Sequence, residues 1–252
     1  MSSHRPRVRV GAALSRMGST LSCVLFAGTL GALAPGCESL GGASRADTPE
    51  GPRAPAEGEG LLLFNGRDLS GWRRLSGDPD YDASGELSIR DGAMRIGTGG
   101  PMTGAGWEGE FPTDGYEVSL EARRVEGGDF FCGMTFPVGE SYATLILGGW
   151  GGEIVGLSNV DGFAAADNST TRLMRFEDGR WYAVRLRVSG GRIRVWLDGE
   201  QIIEQPIEGH QFAVWPQQEP ARPFGITTWR TTGELRAIRL RRVVEPPPAA
   251  AD

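Results

Sequence analysis

From Asp129 to Gly162 apolar and small residues alternate in three short runs, and this stretch is the one around which the rest of the chain can be arranged. Phe130, Cys132, Met134 and Phe136 fall on one face of an extended segment, and Phe131, Gly133 and Thr135 fall on the other. That is the two-residue period of a strand, and the first face is predicted to be core. Pro137, Gly139 and Glu140 read as a turn, Tyr142 to Leu147 as a second strand, and Ile154 to Leu157 as a third. Between the last two, glycines 148, 149, 151 and 152 surround Trp150, with Glu153 and Asp161 nearby. Glycines beside a strand mark a bulge or a close approach of another group to the backbone, so a site is expected here first.

The same period recurs on both sides. Leu61 starts a short strand that runs into an Asn65-Gly66 turn and a second turn ending at Trp72. Glu86 to Arg90 and Ala93 to Ile96 flank Asp91-Gly92, a dipeptide suited to a tight hairpin. In Tyr116 to Val125, Tyr116, Val118, Leu120 and Ala122 share one face, while Glu117, Ser119, Glu121 and Arg123 share the other. Val184, Leu186 and Val188, then Ile193, Val195 and Leu197, alternate with arginines across Gly190-Gly191, and Asp198-Gly199 turns into a third strand. This predicts a meander with one wet face, whose arginine ladder reads as a solvated sheet surface. Pro223 to Trp229 and Glu234 to Val243 form a last pair, and a helical turn is conceivable only near Thr171 to Phe176. About ten short strands with turn signals every 8 to 12 residues predict an all-β sandwich or jelly roll.

The ends follow a different pattern. Arg5, Arg7, Arg9 and Arg16 precede an apolar stretch from about Met17 to Ala34, the layout of a signal peptide. Leu33-Ala34-Pro35-Gly36-Cys37 is similar to a lipobox, which makes residues 1–36 a lipoprotein-type signal and Cys37 the lipidated residue; cleavage after Ala34 is the alternative. Residues 37–58, rich in Gly, Ala, Pro and charge, are expected to be a disordered tether, 59–244 the folded domain and 245–252 a disordered tail. The expected location is the cell envelope, with membrane contact through the lipid only.

Charge and cysteine usage narrow the chemistry. The chain has 252 residues and a net charge of -6, and all 26 of its Lys+Arg positions are Arg. Loss of residues 1–36 removes four Arg and no acid, which takes -6 to -10. So acidic a surface argues against nucleic acid as a partner. With Cys23 in the signal and Cys37 modified, Cys132 remains alone, a thiol expected to be buried and inert. One His in the mature chain makes a zinc site unworkable; no cofactor is expected, and calcium held by Asp and backbone oxygens stays open.

Phe64-Asn65-Gly66-Arg67-Asp68-Leu69-Ser70-Gly71-Trp72, Gly179-Arg180-Trp181-Tyr182, Trp196-Leu197-Asp198-Gly199 and Phe224-Gly225-Ile226 together resemble the 3-keto-disaccharide hydrolase domain family, from about Leu61 to Val243. The resemblance implies a concanavalin A-like jelly-roll β-sandwich, carbohydrate as partner, and cleavage of a glycosidic bond in a sugar oxidised at C3. Many members carry Asn-Ser-Gly followed by Arg where this chain has Gly128-Asp129-Phe130, so family roles at those positions do not transfer.

A ketone at C3 acidifies the C2 proton, so a carboxylate base with an oxyanion partner could expel the C1 substituent; a carboxylate pair could instead hydrolyse the bond directly. Glu121 and Arg123, on one strand face, are candidates for the base and its partner, with Asp129 and Glu153 as further catalytic candidates. Trp107, Trp150, Trp215 and Trp229 are candidates for stacking on a sugar ring, Trp150 foremost, while core or loop packing is the leading reading of the other three; Trp229, Glu140 and Asp161 join Trp150 as the candidate substrate contacts. An enzyme, a non-catalytic carbohydrate-binding module and a structural envelope protein all remain open. Converging carboxylates would mark the first, aromatics without an acid pair the second.

Overall fold

The computed structural model describes residues 60–243, so the signal, Cys37, the tether and the tail all lie outside the described residues. Within them run the strands β1 (Gly60–Leu62), β2 (Trp72–Arg74), β3 (Leu87–Arg90), β4 (Ala93–Ile96), β5 (Met102–Trp107), β6 (Tyr116–Gly127), β7 (Cys132–Val138) and β8 (Ser141–Gly148). They continue as β9 (Ile154–Ser158), β10 (Arg172–Leu173), β11 (Tyr182–Ser189), β12 (Arg192–Leu197), β13 (Glu200–Pro206), β14 (Gly225–Trp229) and β15 (Thr231–Arg242). One sheet has the order β13-β12-β11-β6-β15-β4-β3 with β1 also on β15; the other has the order β10-β9-β8-β7-β14-β5-β2. Together they form the jelly-roll β-sandwich that the strand pattern and the resemblance predict.

The alternating faces explain how the sheets meet. Val118, Leu120 and Ala122 of β6, Val184, Leu186 and Val188 of β11 and Leu235 and Leu240 of β15 are buried against Cys132, Met134 and Phe136 of β7 and Leu145 and Leu147 of β8. Each large side chain so enclosed contributes about 1.5–3 kcal/mol by leaving water. Cys132 is fully buried there, and burial pushes its thiol up to about 12, which suits an inert core residue.

The seven-stranded sheet departs from the simple pattern, because all seven residues of β7 are buried and not every second one. Its outer face carries a cover of loops, where Leu75, Tyr81, Met102, Phe130, Ile146, Ala165 and Ala221 form a second apolar cluster. At the start of β7 the expected alternation is also reversed: Phe131 belongs to the main core and Phe130 to the outer cluster. The ladder begins only at Cys132, so the pleat does not govern the two residues before it. Pro137 lies inside β7 and not in a turn, the stretch 172–173 is extended where a helical turn was conceivable, and β5 arises from MTGAGW, too poor in large apolar residues to announce itself.

On its outer face the eight-stranded sheet is polar and cross-linked. Glu234 of β15 lies directly opposite Arg95 of β4 on one side and Arg123 of β6 on the other. Arg95 Nη1 donates to one oxygen at 2.7 Å and Arg123 Nε to the other at 2.8 Å. Burial by itself would raise the Glu234 carboxyl, but the bonds from Arg123 and Arg95 outweigh it and hold the group below its ordinary 4.5. A depressed folded-state value contributes stability above the unfolded value and loses it as pH falls through the folded one. The urea midpoint should therefore hold steady from pH 7 to 5 and drop below about 4.5, and in Glu234→Gln that acid limb should be shallower; an unchanged limb would show that the pair contributes nothing.

Candidate functional site

The stretch between β8 and β9 shapes one wall of a cleft. Gly148, Trp150, Gly151 and Gly152 have φ of 78, 48, 90 and 101°, all left-handed. Glycine adopts this freely, but for Trp150 it is unfavourable and must be imposed by the surroundings. Arg124 supplies part of that support: Nη2 donates to Phe176 O at 2.7 Å, while Nη1 reaches Gly152 O at 3.5 Å. A Cβ on Gly152 would stand 2.8 Å from that same Nη1. The turn thus holds the Trp150 ring out at the rim, 45% exposed.

The cleft opens on the outer face of the seven-stranded sheet and encloses about 250 Å³. Its lining combines Phe130, Ile146, Met102, Trp150, Trp215 and Trp229 with Asp129, Thr144, Ser158, Gln217 and Gln218. Trp150 and Trp215 meet edge to face at 6.1 Å, and Trp215 is fixed by an Nε1 bond of 2.6 Å to Asn159 Oδ1. Trp229 and Phe130 lie 6.4 Å apart. Such rings present flat apolar faces of the kind that pack on sugar C–H groups.

Asp129 is the one ionisable side chain in the lining. Its Oδ1 accepts the Phe130 amide at 2.8 Å and its own amide donates to Thr231 Oγ1 at 3.0 Å, so the carboxylate is oriented from both sides of the chain. No protein partner of Oδ2 occurs among the described residues. Two glutamines add polar groups to the lining, one of them already engaged. Gln218 Oε1 lies 3.1 Å from Thr227 Oγ1, and Gln217 Oε1 is buried without a partner, an acceptor that a ligand hydroxyl would satisfy.

Of the residues singled out from the sequence, the fold brings Asp129, Trp150, Trp215 and Trp229 together. Glu121 and Arg123 do share a face, but it is the outer face of the other sheet, where Arg236 Nε holds Glu121 at 2.7 Å and Arg123 binds Glu234. Glu153 is exposed and 3.3 Å from Arg175, and Glu140 is exposed in the β7–β8 turn. Asp161 accepts the Gln211 amide at 2.8 Å and faces His210 Nδ1 at 2.7 Å, contacts that lower its carboxyl and tie down the loop leading to Trp215. Trp107, in contrast, is buried against Trp72. Gln217 and Gln218 were not legible as site residues, since they sit in a Pro-rich turn, Pro216–Ala221, without period or motif. Among the described residues no three or more His, Cys, Asp or Glu side chains are grouped as a metal site would require.

A family described as 3-keto-alpha-glucoside-1,2-lyase-like domain matches residues 61–241. Among solved structures, a sialidase is similar at 12% identity and a TM-score of 0.51, over 73% of this chain and 18% of that one. A Bacillus subtilis protein with a galectin-like fold is similar at 13% and 0.49, over 76% and 98%. The carbohydrate-binding module CBM66 of Bacillus subtilis is similar at 13% and 0.45, over 67% and 94%. No curated protein matches the chain.

Proposed function

The chain belongs to the 3-keto-alpha-glucoside-1,2-lyase-like domain family, and from that premise we propose that it cleaves α-glucosides already oxidised at C3, in the cleft beside Asp129. The observation that carries this reading is a single oriented carboxylate set among three Trp rings. Hydrolysis by displacement needs two acids across the scissile bond. Elimination next to a ketone needs one base, because the C3 carbonyl makes the C2 proton removable.

In this reading the sugar ring stacks on Trp229 and Trp150, and the Gln217 and Gln218 side chains and the Ser158 hydroxyl bind its oxygens. The Asp129 carboxylate takes the proton from C2, the electron pair moves into a C1–C2 double bond, the bond from C1 to the glycosidic oxygen breaks, and the leaving alkoxide takes a proton from water, the resulting hydroxide removing the one held by Asp129. The products are an unsaturated ketone and the free partner sugar. Export and lipidation at Cys37 belong to the same proposal, supported by the Arg-rich apolar N-terminus and its lipobox-like end. A binding module without turnover is the second reading, favoured by the absence of a second acid in the lining.

The test is to incubate the protein with 3-keto-trehalose and with trehalose, following ultraviolet absorbance of the enone and release of glucose. Turnover of the keto sugar alone, with a new chromophore, is the expected result. Saturable binding without products would replace the enzyme with the module, and cleavage of unoxidised trehalose would overturn the chemistry.

A further inference from the structure

The outer face of the eight-stranded sheet repeats one arrangement three times. In each, three adjacent strands put an arginine, a central residue and another arginine side by side. Glu117 of β6 stands between Arg187 of β11 and Arg241 of β15. Arg187 Nη2 donates to Oε2 at 2.7 Å and Arg241 Nη2 to Oε1 at 2.9 Å, so the carboxylate bridges both. Glu234 bridges Arg95 and Arg123 in the same manner.

The third row differs at its centre. Two residues along β6 from Glu117, Ser119 lies directly opposite Arg185 on one side and Arg239 on the other. Neither arginine has a carboxylate partner among the described residues. The Arg185 guanidinium carbon lies over the Trp196 ring, 4.0 Å from its centroid, a cation–π contact that uses none of its N–H donors. Arg239 is exposed. Ser119, Arg185, Trp196 and Arg239 line a depression together with Glu121, whose carboxylate is held by Arg236 Nε at 2.7 Å, and the bulge of β15 at Ala237 borders it. The flanking strands are about 10 Å apart across Ser119, two strand spacings, as they are across Glu117. The register therefore sets an arginine on either side of a position where the neighbouring rows hold a carboxylate and this row supplies only a hydroxyl.

We propose that the Arg185–Ser119–Arg239 row is a binding site for an oxyanion carried by a ligand, taking the place that the Glu side chain fills in the adjacent row. The shared chemistry is a group with two or more anionic oxygens, as in a uronate carboxylate, a sulfate or a phosphate ester. The site is on the opposite sheet from the cleft and does not depend on the reading of the cleft.

The experiment titrates the protein with galacturonate, sulfate and glycerol 1-phosphate at low salt, with galactose as neutral control, by calorimetry and NMR. At least one anion should bind saturably with a Kd of about 1 mM, weakening as salt rises, and galactose should not bind at this face. The preferred anion names the source of the ligand. Ser119→Glu completes the row internally and should abolish binding while raising Tm. Arg239→Ala, an exposed position, should also abolish binding without such a rise and serves if the first variant fails to fold. Absence of saturable anion binding, equal binding of galactose, or anion binding unaltered in both variants would overturn the proposal.

Discussion

Replacing Asp129 with Asn should lower kcat on a 3-keto-α-glucoside by about 10³-fold, near 4 kcal/mol of barrier, while the affinity for the sugar changes little. The substitution keeps the shape of the side chain and an oxygen that can accept the Phe130 amide, now met at 2.8 Å. It removes the basicity of Oδ2, the atom with no partner among the described residues, and with it the acceptor for the C2 proton. A general base accounts for a loss of this size, whereas a residue that only lines the cleft would alter KM. Single-turnover assays with the enone as readout separate the two. Activity within tenfold of the parent would place the base elsewhere.

The largest effect on stability is expected at the next position but one. Phe131 is fully buried, 5.0 Å edge to face from Phe176 and 6.4 Å from Tyr182. Its ring also passes under Gly148, where a Cβ would come within 3.1 Å of it, so it supports the turn that carries Trp150. Phe131→Ala should cost about 3–5 kcal/mol and lower Tm by about 10 °C, because a ring-sized void between two sheets cannot close. Thermal unfolding followed by circular dichroism checks this. Phe130→Ala, at the cleft lining, should lose less stability and more sugar affinity. The reverse ranking would mean that the two neighbours have their roles exchanged.

That exchange is also where the sequence was hardest to read. Strand positions and hairpins from β3 to β4 and from β11 to β13 were legible, since alternation and Asp-Gly or Gly-Gly turns are local signals. So was the central stretch as the place of the cleft, through its glycines and Trp150. Which face of a sheet is covered by distant loops is not a local property, and Phe130 was therefore assigned to the wrong side. The same holds for Glu121 and Arg123: their sharing of a face was readable from the period, but that this face belongs to the sheet away from the cleft follows only from the topology. Gln217 and Gln218 reach the cleft from about 60 residues beyond Asp161 and Trp150, through a turn whose position is set by packing and by the Trp215–Asn159 bond.

The distribution of the seven Trp residues has an optical consequence. Trp72 and Trp107 are buried in the core, Trp181 and Trp196 lie beneath guanidinium groups, and Trp150, Trp215 and Trp229 surround the cleft. Intrinsic emission is thereby divided into a shielded share, a share sensitive to the arginine face and a share sensitive to the cleft. Quencher access to the two half-exposed rim rings reports occupancy without any turnover, so an inactive variant and an active one can be compared by the same light.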